Sequence, residues 1–249
     1  MIRVIAKREA MALFRTPLAW SLLAVVQFVL AYQFLAQIET YLKFEDKLRA
    51  MPEAPGVTEV VVTPTLGVAA MLLLFFVPIL TMASISGERR NATLPLLLSS
   101  PVTSGQIVIG KFVGIAALLC VLWVTVALMS LTLLWGAPID IGAYLSGLLA
   151  LACLGASYIA VGLMFSTLFT QPAVCAVMTF GLLSFLWLVD WATRLGEQAG
   201  ALRYLSSLTH FQQMASGLLS SVDFVYFAAL CISALAIAIW RLDGDRKPL

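Results

Sequence analysis

The chain has 249 residues, of which 61% are hydrophobic and 11% charged, with a formal net charge of +2 and a mean hydropathy of +0.99. An ordinary soluble domain carries about 25% charged residues. The composition therefore excludes a water-soluble globular protein, gives no footing for a nucleic-acid partner, and points to an integral membrane protein.

Residues 1–17 precede the first apolar stretch. On a helical wheel Ile2, Ile5, Ala6, Ala10, Ala12 and Leu13 share one arc, with Glu9 in its middle. Arg3, Lys7, Arg8 and Arg15 lie on the other arc. The segment reads as an amphipathic helix leading into the first span. An acid that faces apolar surface without a local cation should find a distant partner, with Arg89, Arg90 or a cation on another subunit as candidates; the alternative is that Glu9 simply faces the lipid head groups. The glutamate and the lack of a small-x-small cleavage site argue against a signal peptide, so the first span is expected to remain in place.

Six apolar stretches approach the roughly 20 residues that a bilayer requires: 18–38, 66–85, 107–135, 144–169, 173–189 and 224–240. Together they predict an all-α polytopic membrane protein made of one domain over residues 1–249. The connections are uneven. Residues 39–65 form a polar, proline-containing segment after span one. Residues 192–222 are too apolar for a solvated loop and read as short helices at the membrane face. Pro78 should kink the second span. Gly147, Gly155 and Gly162 recur near one face of the fourth, where helix backbones approach closely.

Basic residues set the orientation. Arg3, Lys7, Arg8, Arg15, Arg89, Arg90, Lys111, Arg241, Arg246 and Lys247 fall on one side. Lys43, Lys47, Arg49, Arg194 and Arg203 fall on the other. The asymmetry places both termini in the cytoplasm.

Between spans two and three, Gly105, Gly110 and Lys111 match G-x-x-x-x-G-K, the phosphate-binding loop of nucleotide hydrolases. Phe112 replaces the magnesium-binding Ser or Thr, and no strand–loop–helix context surrounds the match. Local signals favour another reading. Thr103 and Gln106 form a capping box that starts a helix near Ser104. Thr93 is placed to cap a short helix over 94–100 that Pro101 ends. Leu94, Leu97 and Leu98 line one side of it, Glu88-Arg89-Arg90 leads into it, and Lys111 is positioned to snorkel to headgroups.

Other chemistry-bearing residues are sparse. Cys120, Cys153, Cys175 and Cys231 lie within predicted spans without a C-x-x-C pair, and read as packing residues rather than metal ligands or disulfides. His210 stands alone among histidines, a poor metal ligand or catalytic partner. Asp190 and Asp223 flank the outer segment, the latter favoured by a helix dipole. No catalytic or metal site is expected. No Asp, Glu, Lys or Arg sits mid-span, which disfavours an ion or proton pathway and favours hydrophobic or lipid-linked cargo.

The stretch "SISGERRNATLPLLLSSPVTSGQIVIGKF" resembles the cytoplasmic loop of ABC type-2 permeases: an acidic-basic cluster, a Gly-Thr-Leu step, leucines, Ser-Pro, then Gly-Lys. Here Ala92 replaces the glycine of that step. "IAKREAMALFRTPLAW" is similar to the family's elbow helix, and "LSSLTHFQQMASGLLSSVDFVYF" resembles the end of its gliding-motility, GldF-like branch. The resemblance implies a half-transporter of a bacterial inner membrane that pairs with a second, identical or related permease among membrane lipids. ATP and magnesium would bind a separate cytoplasmic ATPase subunit. Glu9, Glu88, Arg89, Arg90, Leu94, Leu97, Leu98, Ser100 and Pro101 would contact it, and the outer face leaves room for a large partner subunit. The alternative is an ATPase-coupled scaffold for a mechanical or assembly task with no cargo.

Overall fold

The computed structural model describes residues 1–49, 56–99, 102–135, 139–194 and 204–246. Its regular structure there is helical throughout: α1 Ile2–Arg15, α2 Pro17–Arg49, α3 Thr63–Thr81, α4 Ser86–Arg90, α5 Leu94–Leu98, α6 Ser104–Leu131, α7 Ile141–Leu168, α8 Pro172–Arg194, α9 Ser207–Ala215 and α10 Ser221–Gly244. A π-helical turn, Thr58–Val62, leads into α3, and a 3-10 turn, Thr132–Trp135, ends α6. Six stretches are long and apolar enough to cross a membrane: Pro17–Phe44, Thr58–Arg90, Ser104–Trp135, Ile141–Leu168, Pro172–Val189 and Ser221–Gly244.

Proline and capping side chains set the boundaries. Pro17 occupies the first position of α2 and holds Thr16 extended, at φ −83° and ψ 131°, which separates α1 from α2. The Trp20 indole closes this break by donating to Phe14 O at 2.7 Å. Thr103 and Gln106 form the full reciprocal capping box, so α6 begins at Ser104. Asp140 caps α7 by accepting from the amides of Gly142 and Ala143.

The expected loop over 39–65 is shorter than the sequence suggests. Helix α2 runs on past residue 38 to Arg49. Ile38 and Tyr41 continue its apolar face and pack on Phe34, Val57 and Val61, while Glu39 and Lys43 pair one turn apart on the outside. Residues 50–55 lie outside the described part.

Helix α7 is the centre of the bundle, packing on α3, α6, α8, α9 and α10. Its three glycines make this possible. A Cβ on Gly162 would sit 2.1 Å from Thr81 Oγ1, and one on Gly147 would sit 2.5 Å from a Leu66 methyl. Gly155 faces Trp123, Leu119 and Leu73. The glycine face thus works as predicted, as a close helix–helix seam. Pro78 lies inside α3, which ends three residues later at Thr81. Helices α2, α8 and α10 turn apolar side chains outward, among them Phe28, Leu35, Val177, Leu188, Val225 and Ile232. Such a surface suits lipid, not water.

The bundle has two distinct ends. One, the elbow end, gathers α1, α4, α5, the start of α6 and the finish of α10. The far end holds the π-helical turn, the start of α7, α9 and the start of α10.

Candidate functional site: the charged joint at the elbow end

Gly110 and Gly114 lie one turn apart on α6 and form a seat for α1. A Cβ on Gly110 would come within 2.7 Å of Ile5, and one on Gly114 within 2.7 Å of Glu9. Side chains there would hold the helices apart. With hydrogen in their place, Glu9 reaches across to Lys111, the residue beside Gly110.

Lys111 does not snorkel. Its side chain is 1% exposed and turns into the protein. An ammonium has three N–H donors, and all three find acceptors: Glu9 Oε2 at 3.1 Å, Glu88 Oε1 at 3.0 Å and Ser84 O at 2.8 Å. Ser84 Oγ donates to the other Glu9 oxygen at 3.2 Å. Glu9 therefore has the distant partner its helical wheel demands, but that partner is Lys111 rather than Arg89 or Arg90. Arg8, at 3.4 Å from Glu88 Oε1, closes the cluster on its solvent side. Buried charges survive desolvation only when paired and hydrogen-bonded in this way.

Helix α4 carries Glu88 and is held from two further directions. Ser166 near the end of α7 accepts from the amides of Ile85 at 2.9 Å and Ser86 at 3.1 Å. Its hydroxyl thereby satisfies two amides where α4 begins. Arg89 pairs with Asp245, just beyond α10. The C-terminal turn of α4 is a Schellman motif: Thr93 N donates to Glu88 O at 2.9 Å and Ala92 N to Arg89 O at 3.2 Å. Ala92 has φ +56° there, the left-handed region that glycine favours. The Gly-to-Ala departure noted in the sequence falls at this position. Thr93 does not cap α5 with its side chain, which instead donates back to Glu88 O.

The leucines of α5 divide differently from the expectation. Leu94 is buried in the core and Leu97 packs against it. Leu96 is the outward residue, at 73% exposed, and Arg90, at the end of α4, is exposed as well. The spacing of Leu94 and Leu97 identifies a shared face, but that face seals the bundle. Between α4–α5 and the end of α10 lies a cleft of about 550 Å3 lined by Arg89, Ala92, Leu94, Pro95, Ser99, Asp245 and Arg246. The Leu98 side chain, Ser100 and Pro101 lie outside the described residues.

The phosphate-loop match is now accounted for. Gly105 and Gly110 stand in a continuous helix, not a loop. The Lys111 ammonium is spent on two carboxylates and a carbonyl. No cradle for a phosphate exists at this position. Among the described residues, no group of three or more His, Cys, Asp and Glu side chains is assembled for a metal.

Two pairings escape the sequence reading. Ser166 looks like one more small residue in an apolar span. His210 and Asp223, treated there as separate inert residues, meet at the far end with Nδ1 and Oδ1 2.6 Å apart.

Six helices long and apolar enough to cross a membrane, an N-terminal helix seated on the third span, and a short two-helix connection locked to neighbouring helices define a multi-pass helical membrane protein. The sequence profile of the ABC-2 family transporter proteins matches residues 3–244, and the chain belongs to that family. No curated protein matches the chain.

Proposed function

We propose that the chain is the permease subunit of an ATP-driven exporter in a bacterial inner membrane. It works as a pair of permeases and carries hydrophobic or lipid-linked cargo. Both termini and the α4–α5 connection face the cytoplasm, in line with the ten-to-five distribution of basic residues. A cytoplasmic ATPase docks on the outward side of α4–α5, through Leu96 and Arg90, with the cleft beside Arg89 flanking the contact. Glu9 and Glu88 support that surface from behind.

The observation that carries this reading is the joint at Lys111. A helix exposed to a partner is tied by ion pairs and hydrogen bonds to α1, α6, α7 and the end of α10. A push on α4 is then delivered to several spans at once, which is the geometry a coupling element needs. The apolar outward faces of α2, α8 and α10 suit cargo or a second copy reached from the lipid side.

The test is co-purification with the cognate ATPase, taken from the neighbouring genes. Leu96→Asp places a charge in the proposed contact and should remove most bound ATPase while the permease still reaches the membrane and melts normally. Full ATPase binding and full stimulated hydrolysis by this variant would move the contact elsewhere. Accumulation of cargo in inverted vesicles separates export from a cargo-free mechanical role.

A further inference from the structure

The segment 204–226 forms a second built site, at the end of the bundle remote from the joint. It takes up the "THFQQ…VDFVY" motif, which the coupling role leaves unused. His210 is 4% exposed and Asp223 1%. His210 Nδ1 faces Asp223 Oδ1 at 2.6 Å, and Nε2 faces Tyr204 O at 3.1 Å. The imidazole stacks on Tyr226 with ring centres 4.3 Å apart, and the Tyr226 hydroxyl donates to Leu205 O at 2.8 Å. Two helices and the turn before α9 thus hold one carboxylate in a fixed position.

The imidazole thus faces the carboxylate through one nitrogen and a backbone carbonyl through the other, and it engages Asp223 Oδ1. The other carboxylate oxygen, Asp223 Oδ2, is buried and has no hydrogen-bond partner among the described residues. A buried acceptor left without a donor is costly and calls for one. Asp223 lines a cavity of about 460 Å3, together with Tyr204, Thr209, His210, Gln213, Ser220 and Val222. Of the lining residues Tyr204 and Val222 are exposed, and Leu205, Leu218 and Leu219, close to them or to Ser220 in the chain, are exposed apolar residues as well.

We propose that this cavity binds the hydroxylated head group of a membrane amphiphile, whose hydroxyl donates to Asp223 Oδ2. One carboxylate oxygen is engaged by the imidazole and the other is left without a donor, so the site calls for a single donor, which a hydroxyl supplies. Gln213 and Ser220 supply further polar contacts. The apolar rim accommodates the hydrocarbon part and favours a lipid over a free polyol. The site does not depend on an ATPase partner, so its test stands apart from that of the coupling reading.

The experiment uses the full chain in nanodiscs of phosphatidylcholine. Two photoreactive lipids are compared, phosphatidylglycerol and phosphatidylcholine, each with a diazirine near the head-group end of one acyl chain. The glycerol head group donates hydroxyl hydrogens; the choline head group has none to donate. The phosphatidylglycerol probe should label residues 204–226 about tenfold more than its counterpart, the difference one buried hydrogen bond can supply. Asp223→Asn should remove most of that preference. Gln213→Leu should weaken it several-fold while leaving the His210–Asp223 pair in place, and it decides the matter if the Asp223 variant fails to fold. Equal labelling by both probes, or an unchanged preference in Gln213→Leu, overturns the proposal. Displacement of the probe by free glycerol overturns the amphiphile assignment in favour of a soluble polyol.

Discussion

Lys111 Nζ lies 3.0 Å from Glu88 Oε1, and this contact fastens the start of the third span to the short helix α4, 23 residues back along the chain. Glu9 binds the same ammonium from the N-terminal helix. Removing the cation alone leaves two carboxylates facing each other in a poorly hydrated site. Lys111→Met should therefore destabilise the protein by about 3–5 kcal/mol, the usual result of breaking a buried pair from one side. Combining it with Glu9→Gln and Glu88→Gln removes all three charges and should recover much of that loss. Thermal melting in detergent checks the order: the single variant melts below the triple variant.

Ser166→Ala tests the tie between α7 and α4. The change leaves the Ile85 and Ser86 amides without their acceptor, and each buried orphan costs about 1–3 kcal/mol. The loss should be local. Hydrogen exchange of residues 85–90 should quicken, while exchange in the middle of α7 stays unchanged.

Ala92 sits in a left-handed conformation that costs a non-glycine residue about 1–2 kcal/mol. Ala92→Gly removes that strain, though glycine gains freedom in the unfolded chain. The net effect should be a small rise in melting temperature. Ala92→Val should lower it, because a branched side chain fits the turn worse than alanine.

Gly114→Leu should push α1 away from α6, since even a Cβ there falls 2.7 Å from the Glu9 Cβ. The expected readout is faster hydrogen exchange of residues 2–15 and a lower melting temperature in detergent, with Gly114→Ala milder than Gly114→Leu. Unchanged exchange and melting in the leucine variant would show that the seat is not needed.

Much of the fold was legible because spans and caps are local. The apolar stretches and the Thr103–Gln106 box each depend on neighbours within a few residues. The glycine face of α7 was legible for the same reason: its spacing fixes one side of one helix. Long-range partners were not. The wheel pointed to a distant partner for Glu9, with the head groups as the alternative, yet Lys111 looked like an interfacial residue. The Gly110–Gly114 spacing that brings α1 to it was the available signal. The leucines of α5 show the same limit: periodicity groups Leu94 with Leu97 but does not say which neighbour they meet. His210 and Asp223 lie thirteen residues apart across a turn, and only the packing of α9 on α10 joins them.

The central claim is that movement of a docked ATPase reaches the spans through the Lys111 joint. Spin labels on exposed residues 42 and 218 report a separation at the far end, remote from the joint. They are introduced as cysteines in a cysteine-free background, and distances are measured in the ATPase complex with and without nucleotide. In the otherwise unaltered protein, nucleotide should shift the distance. In the variant carrying Glu9→Gln, Glu88→Gln and Lys111→Met, the ATPase should remain bound and the shift should vanish. An equal shift in both proteins, or none in either, would contradict the claim.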